Sequence, residues 1–165
     1  MLSVIIPAYN EELSIERAYY TISDILNKEN IENEIIFIDD GSSDKTYEII
    51  KNLSEKEDGL CGLHFSRNFG KEAAISAGLA SAAGDCVVVI DCDLQHPPEK
   101  IVEMYRLWEE GYEIVEGIKS SRGKEKKMYG WAARGFYSII SALVGFDMSN
   151  ASDFKLLDRK VVDIL

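Results

Sequence analysis

The sequence predicts an α/β fold in which a mostly parallel β-sheet is covered by helices on both faces. Three observations predict this class. Strand-like and helix-like runs alternate along the first 117 residues. The strand-like runs are apolar throughout, as in Val87-Val88-Val89-Ile90, and polar or glycine-containing clusters end them. Continuous apolar strands separated by helices are typical of a parallel sheet that is buried on both sides.

Each element has its own local signal. The predicted strands cover 2–6, 34–38, 60–66, 86–90 and 113–116, and the predicted helices cover 11–28, 44–56, 71–83 and 97–111. Pro7 closes the first strand, and Asp44 can cap the second helix by accepting from the N–H groups of its first turn. Beyond Gly117 the pattern changes to a basic run, 119–127, and an aromatic-rich helical stretch, 128–146. A last helical pattern opens at Asp158.

Composition narrows the class of protein. The length of 165 residues suits one domain, 1–165, and the final pattern suggests that this domain is truncated at its C-terminus. The net charge of −11 argues against a nucleic-acid partner, because phosphate backbones require clustered Lys and Arg. The three cysteines stand singly and are predicted to be reduced thiols. No signal peptide and no apolar run of about 18 residues is visible, so a soluble chain is expected.

Three polar clusters follow predicted strands. They are 7–12 after the first strand, 39–42 after the second, and 91–96 after the strand that ends at Ile90. In open parallel sheets, ligands bind beyond the carboxyl ends of the strands, where loop N–H groups and helix N-termini converge. The clusters therefore predict one shared crevice.

A pair of aspartates in the third cluster predicts a cation site. Asp91 and Asp93 leave the strand one residue apart, and Gln95 adds a neutral oxygen. Mg²⁺ and Mn²⁺ prefer such oxygen ligands and complete their shell with water and substrate phosphates. The alternative is that both aspartates only cap the turn and the helix that follows.

The other clusters offer groups for a nucleotide. Asp40 can accept from a nucleobase N–H and Tyr9 can stack on the ring, although Asp39-Asp40-Gly41-Ser42 is also a turn sequence. Glu11 suits either a ligand or the start of a helix. The segment 67–71 ends in Lys71 and places two cations and a glycine at a helix start, which in isolation is also typical of an ordinary loop. His64 is predicted to be structural.

At these residues the sequence resembles the family 2 glycosyltransferases, and especially their polyprenyl-phosphate branch of dolichol-phosphate mannose synthases and bactoprenol glucosyltransferases. The matching segments occur in order along nearly the whole chain: VIIPAYNEE, EIIFIDDGSSDKT, SRNFGKEAAISAGLASAAGD, VVVIDCDLQHPPE and SDFKLLDRKVVD. The resemblance implies a GT-A fold, with a Rossmann-like, mostly parallel sheet. It implies a donor such as a UDP- or GDP-sugar, a polyprenyl phosphate acceptor, and Mg²⁺ or Mn²⁺ as cofactor.

The resemblance also implies roles for particular residues. The donor nucleotide would be surrounded by Pro7, Tyr9, Glu11, Ile38 and Asp40, and the metal on its diphosphate would be held by Asp91, Asp93 and Gln95. Lys119 would lie near the phosphates. Asp153 falls in a segment that resembles an acceptor-side TGDFRL motif, where it would orient the acceptor or act as a base. Lys155 replaces the arginine of that motif, which keeps the charge but loses bidentate geometry, and Arg122 is a second candidate for the acceptor phosphate.

Several alternatives remain at this point. Such enzymes commonly carry C-terminal membrane helices, so the full-length protein is expected at the cytoplasmic face of a membrane, with 119–146 as an interfacial or acceptor-side segment. A hydroxyl acceptor would make Asp153 a general base. A non-catalytic nucleotide-sugar-binding module has the same pattern. A haloacid-dehalogenase-like phosphohydrolase also uses DxD, but normally at the chain's first strand with Thr or Val after it, whereas Leu94 follows here.

Overall fold

The computed structural model describes residues 1–117 and 154–165. Within them the chain forms, in order, β1 (Leu2–Ala8), α1 (Ile15–Lys28), β2 (Asn33–Asp39), α2 (Thr46–Ser54), β3 (Leu60–His64), α3 (Lys71–Ser81), β4 (Cys86–Val89), α4 (Lys100–Glu109), β5 (Ile114–Glu116), β6 (Lys155–Asp158) and α5 (Arg159–Val162). The chain divides into two compact units, Met1–Val115 with Asp153–Leu165, and Glu116–Ser152. The predicted segment 119–146 lies outside the described residues, and the single domain 1–165 stays a prediction.

The six described strands form one sheet in the order β3-β2-β1-β4-β6-β5. β1 lies parallel to both β2 and β4, and β2 lies parallel to β3. β6 runs antiparallel to β4, with Val89 opposite Lys155. The predicted mostly parallel α/β sheet is therefore confirmed, and β6 is a strand that the sequence analysis did not predict.

The central strands β1, β2 and β4 are buried on both faces of the sheet, as their apolar sequences predict. Alternate residues of β2 enter two different core clusters, with Ile35 and Phe37 on one face and Ile36 and Ile38 on the other. Buried side chains of α1, α2 and α4 pack in the first cluster, and those of α3 and α5 pack in the second. Because side chains alternate along a strand, this partition places helices on opposite faces of the sheet.

Gly78 lets α3 pack close to the sheet. A Cβ atom at this position would lie 2.6 Å from Cγ2 of Ile5 and 2.9 Å from Cδ1 of Ile38. Contacts that short require the neighbouring side chains to move, and displacing a packed core costs about 1–3 kcal/mol. The small residue therefore fixes the distance of α3, which begins at Lys71, from the central strands.

The largest difference from the predicted boundaries is at the start of α1. The helix was predicted from residue 11 but begins at Ile15. The amide of Glu11 donates to Oγ1 of Thr46, and the amide of Glu12 donates to Oδ2 of Asp44. The amides of Ser14 and Ile15 both donate to the carbonyl of Glu11, so the residues before Ile15 form a turn that leads into α1 and lies against the start of α2.

None of the helices in residues 1–117 and 154–165 combines the length and apolarity needed to span a bilayer.

Candidate active site

The three predicted polar clusters lie at one edge of the sheet. β1 is the central strand, with β2 on one side and β4 on the other. All three are parallel, so their carboxyl ends point to the same edge. The clusters after Ala8, Asp39 and Val89 are therefore neighbours in space, as the crevice hypothesis requires.

The loops after β1 and β2 interlock. The amide of Asn10 donates to Oγ of Ser42 at 2.8 Å, and the amide of Ser43 donates to Oδ1 of Asn10 at 2.9 Å. Asn10 has a positive φ of 55°, a conformation that Asn adopts more readily than most residues. Asp44 accepts from both the amide and the hydroxyl of Thr46, the first residue of α2. Asp44 thus accepts from one N–H of the first turn, as predicted, but the N-cap position itself is occupied by Lys45, whose side chain makes no cap bond. Burial works to raise the pKa of Asp44, but its hydrogen bonds with Thr46 outweigh burial and lower the pKa.

Asp40 is buried and fastens a neighbouring loop. Its Oδ1 accepts from the amide of Phe69 at 2.7 Å, and its Oδ2 accepts from the amide of Gly70 at 2.9 Å. Each carboxylate oxygen has a second lone pair and can accept one further N–H. Gly41 has a positive φ of 69°, and a Cβ there would collide with the backbone of Arg67. Two loops thus meet at Asp40 and Gly41 in backbone contact.

Asp39 has a structural role that sequence analysis did not specify. It is fully buried, its Oδ1 accepts from the amide of Ser42, and its Oδ2 lies 2.6 Å from Nδ1 of His64. The imidazole also stacks on Tyr47, with ring centroids 4.1 Å apart. His64 therefore links the ends of β2 and β3 to α2, in agreement with its predicted structural role. Only the strand pairing, which places Asp39 opposite His64, could have revealed the contact.

The DxD segment forms a tight turn after β4. Leu94 has a φ of 58°, and its amide donates to the carbonyl of Asp91. Oδ1 of Asp93 accepts from the amide of Gln95 at 3.0 Å, as the capping interpretation predicts. Arg17 of α1 donates to the carbonyl of Asp93 at 3.2 Å, a contact that no sequence pattern indicated. The turn is thus held by its own hydrogen bonds and by the first helix.

Cys92 anchors this turn in the core. It is 3 % exposed and packs in the first core cluster, while Asp91 and Asp93 on either side of it are partly exposed. Burial raises the pKa of the Cys92 thiol to about 12. The buried thiol is therefore closed to a cation, whereas the carboxylates on either side of it and the exposed amide of Gln95 are accessible.

Asp91 forms an ion pair with the first residue of α3. Its Oδ1 lies 2.6 Å from Nζ of Lys71, and both side chains are about one-third exposed, at 34% and 38%. Among residues 1–117 and 154–165, no three His, Cys, Asp or Glu side chains converge as a metal cluster. The aspartate pair therefore supplies at most two carboxylates, which is the usual protein contribution to a magnesium site completed by substrate phosphates.

Two exposed rings belong to the loops around Asp40. Tyr9 is 49% exposed and Phe69 is 52% exposed, so both have ring surface available to a ligand. The guanidinium of Arg67 lies 4.7 Å from the Phe69 ring centroid. Pro7 is buried, and the Ile38 side chain packs in the second core cluster. A contact between Ile38 and a ligand would therefore have to use its backbone.

β6 brings the segment that was predicted to lie on the acceptor side to the same edge. Because β6 is antiparallel, its first residue, Lys155, pairs with Val89 at the carboxyl end of β4. Phe154 stacks on His96, which follows the DxD turn, with centroids 4.9 Å apart. Residues 154 and 155 thus lie next to the predicted cation site. The other predicted residues of this group, Lys119, Arg122 and Asp153, lie outside the described residues.

A cavity of about 350 Å³ lies elsewhere, between Tyr19 of α1, Asn33 of β2 and Gly59 before β3. These positions are at the amino ends of β2 and β3, opposite the three clusters. The cavity is therefore separate from the predicted site.

The fold is thus that of an α/β protein in which three polar loops share the carboxyl ends of β1, β2 and β4, where the strand order switches. Residues 3–164 match the family described as glycosyl transferase family 2, and the chain belongs to that family. Membership of this family excludes the alternative that the chain is a haloacid-dehalogenase-like phosphohydrolase.

Curated relatives match nearly the whole chain. "Uncharacterized glycosyltransferase YkcC" of Bacillus subtilis is 40% identical over 162 residues, covering 98% of this chain and 50% of the relative. "Bactoprenol glucosyl transferase" of Shigella phage SfV is 37% identical over 163 residues, covering 98% of this chain and 53% of the relative. The chain thus spans about half the length of these relatives.

Solved structures agree on the fold. Glucosyl-3-phosphoglycerate synthase from Mycobacterium tuberculosis, in complex with Mn²⁺, UDP and phosphoglyceric acid, superposes with a TM-score of 0.65 at 25% identity. The match covers 98% of this chain and 56% of that one. The predicted GT-A fold is confirmed.

Proposed function

We propose that the chain is the donor-binding catalytic part of a metal-dependent, inverting glycosyltransferase that moves a sugar from a UDP- or GDP-sugar to a polyprenyl phosphate. One observation carries the proposal. In a member of glycosyl transferase family 2, the clusters at Tyr9, Asp40 and Asp91 share one edge of the sheet. The relatives named bactoprenol glucosyl transferase support the lipid phosphate as acceptor.

On the donor side, the nucleoside lies against the loops after β1 and β2. Tyr9 offers a half-exposed ring for stacking, and Asp40 offers the remaining lone pairs of a buried carboxylate. The backbone of Glu11 is held against the start of α2, because its amide donates to Oγ1 of Thr46. Pro7 and Ile38 have buried side chains, so their contribution to nucleotide binding is through the backbone at the ends of β1 and β2. Lys71 and, by resemblance, Lys119 supply positive charge for the diphosphate.

The oxygen atoms that the DxD turn offers as ligands fit a hard divalent cation. Asp91 and Asp93 are partly exposed carboxylates, and Gln95 is an exposed amide on the same turn. These oxygens would hold Mg²⁺ or Mn²⁺, which neutralises charge on the departing nucleoside diphosphate. The Mn²⁺ and UDP in the synthase from M. tuberculosis support this assignment.

On the acceptor side, catalysis depends mainly on the positioning of the acceptor phosphate. A lipid phosphate is already anionic near neutral pH, so its attack requires an aligned geometry more than a strong base. Lys155 lies on β6, opposite Val89 at the carboxyl end of β4. Lys155 and Arg122 attract the phosphate. Asp153 orients it for a single displacement that inverts the anomeric centre. With a hydroxyl acceptor, Asp153 would instead remove the proton. A lipid phosphate acceptor implies that the enzyme acts at the cytoplasmic face of a membrane.

A thermal-shift panel tests the donor and metal. UDP-, GDP- and dTDP-sugars are added with and without Mn²⁺, because a ligand that binds only the folded state raises its stability by mass action. At 100 times the dissociation constant the gain is about 2.7 kcal/mol, which for this length corresponds to roughly 5–10 °C. A metal-dependent shift with at least one donor is expected. No shift with any of them contradicts the proposal.

Transfer assays then test the acceptor and the chemistry. Release of the nucleotide and labelling of a polyprenyl phosphate are expected with the donor that stabilises the chain. Binding without any transfer or hydrolysis would favour a non-catalytic nucleotide-sugar-binding module. Labelling of saccharide hydroxyls but not of the lipid would favour the hydroxyl-acceptor alternative.

A further inference from the structure

The ion pair between Lys71 and Asp91 involves a carboxylate that the proposed function assigns to a metal. Nζ of Lys71 lies 2.6 Å from Oδ1 of Asp91, which is the distance of a charge-assisted hydrogen bond. A divalent cation bound to this oxygen would have to share it with an ammonium group. The two cations repel each other at such a distance, so lysine and metal compete for one ligand.

The ion pair between Lys71 and Asp91 can be broken at a small cost in free energy. Both side chains are about one-third exposed, and ion pairs of this kind contribute only about 0.2–1 kcal/mol. A lysine side chain is also long and flexible, so its charge can move several ångströms while its backbone stays in place. The backbone here is fixed, because the amides of Phe69 and Gly70, just before Lys71, are bound to Asp40.

The ammonium group of Lys71 also lies where it could bind an anionic ligand. Lys71 is the first residue of α3, where the partial positive charge of the helix attracts anions. It lies between Asp40, on the nucleoside side, and Asp91, on the cation side. A diphosphate spanning these two carboxylates would pass the start of α3, where Lys71 could bind it without a change of backbone.

We propose that Lys71 is an internal counter-ion that neutralises Asp91 until metal and nucleotide arrive, and that it then leaves Asp91 for the diphosphate. The proposal rests on the proposed function, since it takes Asp91 as a metal ligand. Its consequence is that metal and nucleotide bind cooperatively. The cation alone binds weakly because it must displace Lys71, and the diphosphate offers Lys71 a new partner.

Binding measurements on the 165-residue chain test this without requiring turnover. Dissociation constants are measured for MnCl₂ alone, by electron paramagnetic resonance of free Mn²⁺, and for UDP in saturating Mn²⁺, by calorimetry. K71M removes the charge and K71R keeps it. K100M is the matched control, because Lys100 is likewise the first residue of a helix and pairs with Glu103 at 2.7 Å. D91N tests whether Mn²⁺ uses Asp91 at all.

K71M is expected to bind Mn²⁺ alone up to about fivefold more tightly and to bind UDP with Mn²⁺ about tenfold more weakly. K71R and K100M should both stay within twofold of the original chain for Mn²⁺ alone. Opposite effects of one substitution on two ligands cannot come from a loss of structure, which would weaken both.

The two possible failures are distinguishable. If D91N weakens Mn²⁺ binding but K71M matches K100M in both measurements, the counter-ion proposal is overturned and the metal assignment survives. If D91N binds Mn²⁺ like the original chain, the metal assignment fails and the counter-ion proposal fails with it.

Discussion

Oδ1 of Asp40 accepts a hydrogen bond from the backbone amide of Phe69 at 2.7 Å. Its other oxygen binds the next amide along the chain, that of Gly70. A carboxylate that the sequence offers as a nucleotide-binding group therefore also fastens the loop that leads to Lys71. The two ends of the proposed site, the nucleoside side and the cation side, share this one loop.

The substitution D40N is expected to destabilise the fold as well as weaken donor binding. An asparagine has one acceptor oxygen and a donating NH₂ group, so one of the two loop amides would face a donor in a buried place. A buried unsatisfied group costs about 1–3 kcal/mol. Urea denaturation measures the loss. The control is D24N, which alters an exposed aspartate in α1; equal unfolding midpoints for the two variants would contradict the anchoring role.

Gly41 is expected to be intolerant of a side chain for two reasons that can be separated. G41A adds a Cβ at a φ of 69°, which costs about 1–2 kcal/mol, and also brings it against the backbone of Arg67. With overpacking included, a loss of about 2–5 kcal/mol is expected in urea denaturation.

The matched control for this prediction is G111A. Gly111 also has a positive φ, 104°, but nothing lies within 4 Å of its Cβ position. G111A therefore carries the backbone strain alone. If G41A is no more destabilising than G111A, the close approach of the loops at Gly41 and Arg67 is not important for stability.

The sequence predicts the fold because the strand pattern is continuous and local. Runs such as Val87–Ile90 are apolar at every position, which already requires cover on both faces. β6 escaped prediction because Lys155-Leu156-Leu157-Asp158 has only two apolar residues between two charges. It becomes a strand because β4 offers it an edge, and no local pattern encodes that pairing.

The candidate site likewise has features that the sequence predicts and features that it does not. The positions of Asp40 and Asp91 follow from where strands end, which the sequence states directly. The contacts of Asp39 with His64 and of Asp91 with Lys71 depend on which strand or helix lies beside which. Strand order and side-chain rotamers decide those contacts, and neither is visible in the periodicity of one chain.

Thiol reactivity is expected to distinguish Cys61 from the other two cysteines. Cys61 is exposed, whereas Cys86 and Cys92 are buried, and burial raises the pKa of each buried thiol to about 12. Near pH 8 the buried thiols would carry on the order of a thousandfold less thiolate than an ordinary cysteine. One fast equivalent per native chain is expected with Ellman's reagent, and three in denaturant.

The variant C61S controls this experiment and should show no fast equivalent in the native state. A second fast thiol in the original chain would mean that the DxD turn around Cys92, or the start of β4, opens more readily than its packing indicates.

Asp158 is expected to make stability depend on pH in the acid range. Nε1 of Trp108 donates to its carboxylate at 2.7 Å, and the amide of Lys160 donates to the other oxygen. These bonds lower the pKa of Asp158, the Trp108 bond most of all. A lowered folded-state pKa gives stability that is present above the ordinary value of about 3.9 and is lost as pH falls through the folded value.

The substitution D158N isolates this effect, because asparagine keeps an acceptor for the start of α5 but has no charge to lose. The urea midpoint of the original chain should exceed that of D158N near neutral pH, and the difference should shrink below about pH 4. A difference that stays constant across this range would show that the ionised form of Asp158 contributes nothing.

The substitution D93A should abolish metal-dependent turnover while leaving the fold nearly intact. Asp93 accepts one hydrogen bond in its own turn, from the amide of Gln95, so its loss should cost no more than about 1 kcal/mol of stability. As a ligand of the proposed cation it affects the charge that forms on the leaving diphosphate, where removal of one stabilising group lowers kcat by about 10²–10³.

Initial rates of nucleotide release with and without Mn²⁺ measure the effect, and D58A, at an exposed aspartate before β3, is the control. Because the turn is also held by Arg17 and Leu94, a stable but inactive D93A separates cation binding from turn capping. Near-normal Mn²⁺-dependent rates in D93A would refute the metal assignment and leave Asp93 as a turn residue.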